Sequence, residues 1–461
     1  MRHFGFRFTT GHLLWAATLV PAVVLLCMHF NLLWLGITLG VLLALFSVLA
    51  IRGRRLTGWI AAMFAWQRRH KVAPPAPSEP AVGATVLPGD HVAVRWLGDH
   101  LISVVELVPR SFTPTVIVNG EAFTDDNLDT RLVEQLLTAH GPDLEADVVS
   151  AGYRVGKTAP SSVVALYEQV VGPYAAPANR RTWIVLRASP DETRRSALRR
   201  GTGVSGLASY LVATTTRIAD QLASHGIDAR PARSFEEYDR STAISFERET
   251  WSTIKGRSTF TAAYSAPGGP NMWWSARADH TITRVRVKPG QAPTATVLLT
   301  TLATPTTPRG FSCLFGGQRA ALEGLSPITD RHYELPIGSA GVLVGKTADR
   351  YPVYMPFDNV DSTINLGDAH LFTQFVVRSA AAGAVVTLAP QFKEFAGFIN
   401  ARIGNVPKVA WPNATTYLGP HPGISRILLR HNYIDTPRHR QLPIQLINPR
   451  EESRFQMALE K

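Results

Sequence analysis

Between Leu13 and Ile51 the chain carries no Asp, Glu, Lys or Arg, and no other feature of the sequence limits its fold so severely. As one helix these 39 residues would run about 58 Å, nearly twice a hydrocarbon core of roughly 30 Å. A stretch this apolar leaves water, and one this long turns back. Its polar interruption is His29, Phe30 and Asn31, which divides it into spans of about 13–28 and 32–51. A secretory signal peptide is disfavoured, because no Ala-x-Ala type cleavage site follows the first span and a second span does. Arg2 and Arg7 precede the hairpin while Arg52, Arg54 and Arg55 follow it, so the positive-inside rule predicts both termini and the bulk of the chain on the cytoplasmic side. Gly36, Gly40 and Ala44 recur every four residues, a helix-packing face that admits another backbone, of the first span or of a partner.

Beyond the hairpin, Leu56, Trp59, Ile60, Met63 and Phe64 fall on one helical stripe between Arg52, Arg54 and Arg55 on one side and Arg68, Arg69 and Lys71 on the other. Of the formal charge of +12, eight units lie in the first 71 residues, which contain no acid. This pattern predicts an interfacial helix against anionic lipid. The remainder is nearly balanced in charge, which disfavours nucleic acid as a partner.

Residues 72–89, with Pro74, Pro75, Pro77 and Pro80, read as a stiff linker. Mixed α/β signals come next, divided here into a cytoplasmic domain over 90–232 and a second α/β region over 233–461. In the first, strands are expected at His91–Trp96, Leu101–Val108, Thr115–Val118, about Asp147–Val155 and Thr182–Arg187. Asn119-Gly120 marks a hairpin turn. Helices are expected from Asp125 or Asp126 with Leu128 on the buried face, from Ser161 or Ser162, and over Val204–His225 before Gly226. In the second, strands are expected at Ile282–Val287, Thr296–Thr300, Gly341–Val344 and Tyr351–Phe357, with a helix from Asp368 to Gly383 leading into a strand over Ala384–Ala389.

Two cysteines far apart, Cys27 and Cys313, exclude a disulfide framework and a thiolate zinc site. Gly201, Gly203 and Gly206 satisfy GxGxxG, but a charged segment, Asp191–Arg200, separates them from the preceding strand, so the dinucleotide context fails. Arg199 and Arg200 beside Gly201 and Gly203 leave a candidate anion contact. The stretches 150–158 and 339–347 each end in Gly-Lys-Thr, but Ala151 and Ala340 stand where a phosphate loop needs glycine. Asp368 with His370, Asp90 with His91, Asp99 with His100, and the run His431 to His439 read as helix caps or loops rather than metal ligands. Neither catalytic residues, a cofactor nor a metal is expected.

A basic N-terminus, a tight two-span hairpin, a Pro-rich exit and a large cytoplasmic part resemble the EccE family, a membrane component of mycobacterial type VII secretion systems. Gly152-Tyr153-Arg154, Arg180-Arg181-Thr182-Trp183 and Arg199-Arg200-Gly201 are further points of resemblance, clearest from Leu13 to Gly226. The resemblance implies a noncatalytic subunit of the inner (plasma) membrane complex beside EccB, EccC and EccD, with the ATPase belonging to EccC. The alternative is a membrane-anchored nucleotide-binding enzyme or sensor using the Gly201 loop. The positive-inside expectation has a direct check: a reporter fused after Lys461 should be reached only from inside intact cells, and labelling from outside would overturn it.

Overall fold

The computed structural model describes residues 4–6, 49–51, 54–69 and 92–447, apart from positions 157–158, 173, 267, 325–330 and 423, together with scattered positions between 18 and 40. The linker expected over 72–89 lies outside the described residues. Strands β1 (Phe4–Phe6), β2 (Leu49–Ile51) and β3 (Arg54–Arg55) form a small antiparallel sheet in which Phe4 pairs with Ile51 and Ala50 with Arg55. Residues 49–51 therefore end the uncharged stretch as a strand rather than as the last turn of a helix, because their backbone groups are taken by Phe4–Phe6. Residues 20–25 are helical, and no helix among the described residues is long and apolar enough to cross a membrane. Helix α1 (Leu56–Arg69) follows directly on β3.

The main sheet is antiparallel. Its strands are β4 (Val94–Leu97), β5 (His100–Leu107), β9 (Glu145–Tyr153), β10 (Asn179–Ala188), β11 (Ala229–Pro231), β12 (Arg248–Glu249), β13 (Ile254–Lys255), β14 (Phe260–Ser265), β15 (His280–Val287), β16 (Thr294–Thr301) and β17 (Ser312–Cys313). The spatial order is β11-β5-β10-β9-β15-β16-β14-β13-β12, with β4 on β5 and β17 on β14. Strand β9 lies between β10 and β15, so Val149 is opposite both Trp183 and Arg284. The boundary drawn between 232 and 233 thus falls inside one hydrogen-bonded sheet. Periodicity shows where strands are, while pairing over more than a hundred residues leaves no local trace.

Alternation in these strands serves two cores. Leu101, Val105, Val148, Ile184 and Val285 face helices α2 (Thr130–His140) and α5 (Gly203–Ser224), meeting Leu137, Leu211 and Leu222. Ile102, Val104, Val149, Val185 and Leu298 face the other side, covered by Tyr238 and Ala321. Helix α2 starts at Thr130 with Asp129 as its cap, Oδ1 accepting from Arg131 N at 2.8 Å. Leu128, expected on that helix, sits instead in β8 (Asn127–Asp129), opposite Leu335 of β18 (Glu334–Pro336). The charged segment 191–200 holds α4 (Pro190–Leu198), whose buried residues are only Thr193 and Ala197. So small an apolar face gives no helical signal. Helix α3 (Ser161–Val171) begins where expected.

A four-stranded sheet joins early and late sequence: β6 (Thr115–Val118) and β7 (Glu121–Thr124) form a hairpin that β20 (Pro352–Met355) and β19 (Val342–Lys346) extend. Asn119 and Gly120 both have positive φ, 52° and 88°, the geometry that an Asn-Gly turn accommodates. The last unit is an eight-stranded sheet of β21 (Ser362–Leu366), β22 (Val385–Leu388), β23 (Arg402–Ile403), β24 (Lys408–Ala410), β25 (Thr415–Leu418), β26 (Ser425–Leu429), β27 (Tyr433–Asp435) and β28 (Leu442–Pro443). There β21 runs parallel to β25 and β26, and Asp368 caps the helix over Ala369–Ala381 by accepting from Leu371 N at 2.9 Å.

Buried ionic groups join these sheets. Asp147 on β9 accepts from Arg286 Nε at 2.6 Å, with Arg284 and Arg187 near. Burial opposes its ionisation, but the three guanidiniums outweigh that and hold the carboxyl below its ordinary range. At the seam of the main and four-stranded sheets, buried Arg180 donates through Nε to Gly338 O at 2.9 Å, and burial pulls the guanidinium down to about 9. Ser339 Oγ donates to Asp358 Oδ2 at 2.6 Å, and burial pushes the Asp358 carboxyl above its ordinary 3.8. A carboxyl raised on folding stabilises fully below that ordinary value, and the contribution is lost as pH rises through the folded value. Asp358→Asn removes this loss. The stability of the variant relative to the parent should therefore improve between pH 4 and pH 7, read from denaturant midpoints, and a difference independent of pH would refute it.

Candidate functional site

Helix α1 has two faces with different surroundings. Trp59 lies 6.0 Å, centroid to centroid, from Trp251 and 5.4 Å from Phe315, while Trp66 meets Trp251 edge-on at 5.7 Å. Ala62, between them in the helical repeat, is buried. Trp251 sits in the turn from β12 to β13, where Thr250 Oγ1 accepts from Thr253 N at 3.0 Å and closes the bend. Gly316 N donates to Trp251 O at 2.8 Å. Its φ is +67°, and a Cβ there would lie 2.4 Å from the Trp251 ring and 3.1 Å from Ala62 O, so glycine lets the helix close on the body.

The other face is open. Ile60, Met63 and Phe64 are 39%, 41% and 55% exposed, at the i, i+3, i+4 spacing of one stripe. Leaving side chains of this kind in water forgoes about 1.5–3 kcal/mol each relative to full burial. The stripe read from the sequence is therefore split: Trp59 turns inward on protein, whereas Ile60, Met63 and Phe64 do not. Leu56 is the first residue of the helix, and its side chain lies outside the described ones. Trp251 and Phe315 were not legible as partners of α1, since they come some 190 and 250 residues later in weakly patterned sequence; a tryptophan in a short turn and an aromatic before Gly316-Gly317 were the available signals.

Gly40 is the member of the small-residue face that is described. A Cβ there would lie 3.1 Å from Val20 Cγ1 and 3.3 Å from Val24 Cγ2, so this glycine meets the first apolar segment of the same chain. Val20 and Gly40 are equidistant in sequence from Phe30, next to the turn expected at Asn31. Gly36 and Ala44 lie outside the described residues.

The glycine-rich candidates have a common structural role. Arg199, Arg200, Gly201 and Thr202 form the corner between α4 and α5, with both arginines exposed. A Cβ on Gly206 would lie 2.2 Å from Gly201 O and 2.8 Å from Ala197 O, so the glycines let two helices meet. In the first Gly-Lys-Thr stretch Gly152 faces Asn179 O and Gly156 faces Gly383 Cα, each leaving a Cβ 2.0 Å from backbone; Lys157 and Thr158 lie outside the described residues. In the second, β19 continues through Lys346, whose amide donates to Gln445 O at 2.8 Å, and the next element is β20 rather than a helix. Asp368, besides capping its helix, is bonded to His431. No group of three metal-ligating side chains occurs among the described residues.

Residues 176–266, from β10 through the α4–α5 corner to β14 and including Trp251, match the family model described as "Putative type VII ESX secretion system translocon, EccE". Over 461 residues, all of this chain and 99% of the relative, the sequence is 76% identical to a protein of Mycolicibacterium smegmatis named ESX-1 secretion system protein EccE1. The chain belongs to the EccE family. The EccE1 protein of Mycobacterium tuberculosis is 65% identical over 457 residues, 99% of each chain. An ESX-5 secretion system protein EccE5 of Mycobacterium marinum is 29% identical over 238 residues, 48% of this chain and 56% of that protein. This EccE chain thus keeps its likeness to the EccE1 proteins through all of its sheets and the N-terminal segment.

The α4–α5 corner offers a clean test of packing against anion binding. Gly206→Ala should destabilise by about 1–3 kcal/mol, as overpacking at rigid backbone does. ATP turnover or saturable ATP binding by the parent, abolished by Gly206→Ala or Lys346→Ala in chains of unchanged stability, would refute the packing reading.

Proposed function

We infer that this chain is a noncatalytic structural subunit of a type VII secretion complex of the ESX-1 kind in the bacterial plasma membrane. The observation that carries this is the end-to-end similarity to proteins named ESX-1 secretion system protein EccE1. Its partners are then the other membrane subunits, EccB, EccC and EccD, together with anionic lipid of the cytoplasmic leaflet. Hydrolysis of ATP belongs to EccC.

In this reading the N-terminal segment is a membrane hairpin with both termini cytoplasmic. Pairing of Phe4–Phe6 with Leu49–Ile51 supports it, because a segment that precedes the uncharged 39-residue stretch lies beside that stretch's end. The approach of Gly40 to Val20 and Val24 supports it as well. An even number of crossings meets both observations.

The test is purification of the tagged full chain from native membranes in mild detergent. EccB, EccC and EccD should arrive with it, and a chain recovered alone with an enzymatic activity of its own would overturn the assignment. Gly40→Leu drives a branched side chain into Val20 and Val24. It should loosen the hairpin by on the order of 1–2 kcal/mol while leaving partner recovery nearly unchanged at equal membrane abundance. A roughly ten-fold loss of partners would mean that this face meets another subunit instead.

A further inference from the structure

We propose that α1 is a two-faced bracket that fixes the orientation of the β-sheet body on the membrane: Ile60, Met63 and Phe64 seat on an anionic bilayer surface while Trp59 and Trp66 grip the body. The proposal rests on the membrane hairpin above and deepens it by naming what covers the open face and what that contact controls. A hairpin alone would leave the body on a tether. The Trp59, Trp66, Trp251 and Phe315 cluster removes that freedom, because it joins the first helix after the hairpin to a turn and a loop of the main sheet. Four aromatic rings with Ala62 against Gly316 bury the helix on one side, so a rotation of α1 carries the sheet with it.

Charge selects the occupant of the open face. From Met1 to the first acid, Glu79, every charged side chain is basic, and the arginines fall on both sides of the exposed residues: Arg52, Arg54 and Arg55 before, Arg68 and Arg69 after. An apolar stripe edged by cations of a single sign suits a headgroup layer of negative charge. Chain continuity places it there too. Helix α1 starts directly after β3, and β3 pairs with β2, the last piece of the uncharged stretch. With the hairpin in the bilayer, β3 folds back along β2 with Arg55 opposite Ala50, so α1 starts level with the end of the uncharged stretch rather than beyond the headgroups.

The experiment uses the full chain with Cys27→Ser and Cys313→Ser, carrying nitroxide labels at Met63→Cys, at Leu42→Cys within the uncharged stretch, or at Met63→Cys together with exposed Ser258→Cys. It is reconstituted in phosphatidylcholine vesicles with or without 30 mol% phosphatidylglycerol. The label at 63 should collide with oxygen and be shielded from an aqueous relaxant at shallow depth, with roughly ten-fold stronger shielding in the anionic vesicles. The 63–258 distance distribution should be narrow and should broaden with Trp59→Ala and, as a second route, with Trp251→Ala. A label at 63 that stays aqueous while that at 42 is deep in lipid would overturn the proposal and leave the hairpin standing. Shielding at 63 from oxygen and aqueous relaxant alike would mean that protein covers the face, which overturns it too. A broad distribution in the parent, or a narrow one that neither tryptophan variant changes, would overturn the bracket. An aqueous label at 42 would overturn the hairpin and the bracket together.

Discussion

The pairing of β9 with β10 on one edge and β15 on the other is the constraint on which the rest of the molecule depends. Seven consecutive residues of β9 are buried, Ala146 to Gly152, and its backbone groups are satisfied only when both neighbours are present. One of those neighbours lies some 130 residues away in sequence. The same three strands assemble the ion cluster of Asp147 with Arg187, Arg284 and Arg286, which none of them could complete alone. A buried carboxylate is tolerable only with its partners in place, so the cluster penalises any register that separates these strands.

Backbone contact explains why this sequence imitates nucleotide-binding motifs. Gly152, Gly156, Gly206 and Gly341 each stand where a Cβ would come within about 2.2 Å of backbone atoms. Close approach requires glycine for the same reason that a phosphate cradle does, because a side chain would fill the space. The two uses differ in the next element of the chain, which is either a helix N-terminus offering free amides or a strand or helix whose amides are already taken. Lys346, bonded through its amide to Gln445, is of the second sort.

Legibility in the sequence tracked local physics. The β6 strand was readable to the residue because Asn119-Gly120 declares its turn, and the helix over Gly203–Ser224 was readable because its apolar period runs for six turns to Gly226. The helix after Asp368 announced its own cap. Leu128 was misread because a three-residue strand leading into a helix has the same apolar spacing as the helix itself. Strands of two to five residues between Arg402 and Pro443 carry too few alternations to register, and the division drawn at 232 separates β10 from β15 although one sheet holds both, because sheet membership is decided by distant pairing. At the candidate site the apolar stripe of α1 was visible as a stripe, but which half faces protein depended on Trp251 and Phe315.

That dependence has a consequence during biosynthesis. Trp251 leaves the ribosome 192 residues after Trp59, about 10–40 s later at ordinary elongation rates, and Phe315 later still. For that interval the Trp59 and Trp66 face of α1 lacks its protein partner, and all of the helix's large apolar side chains are uncovered. Trp59 and Trp66 are therefore uncovered apolar surface until the turn between β12 and β13 has been made. Closure of α1 on the body is thus a late step of synthesis, however early the helix itself is made.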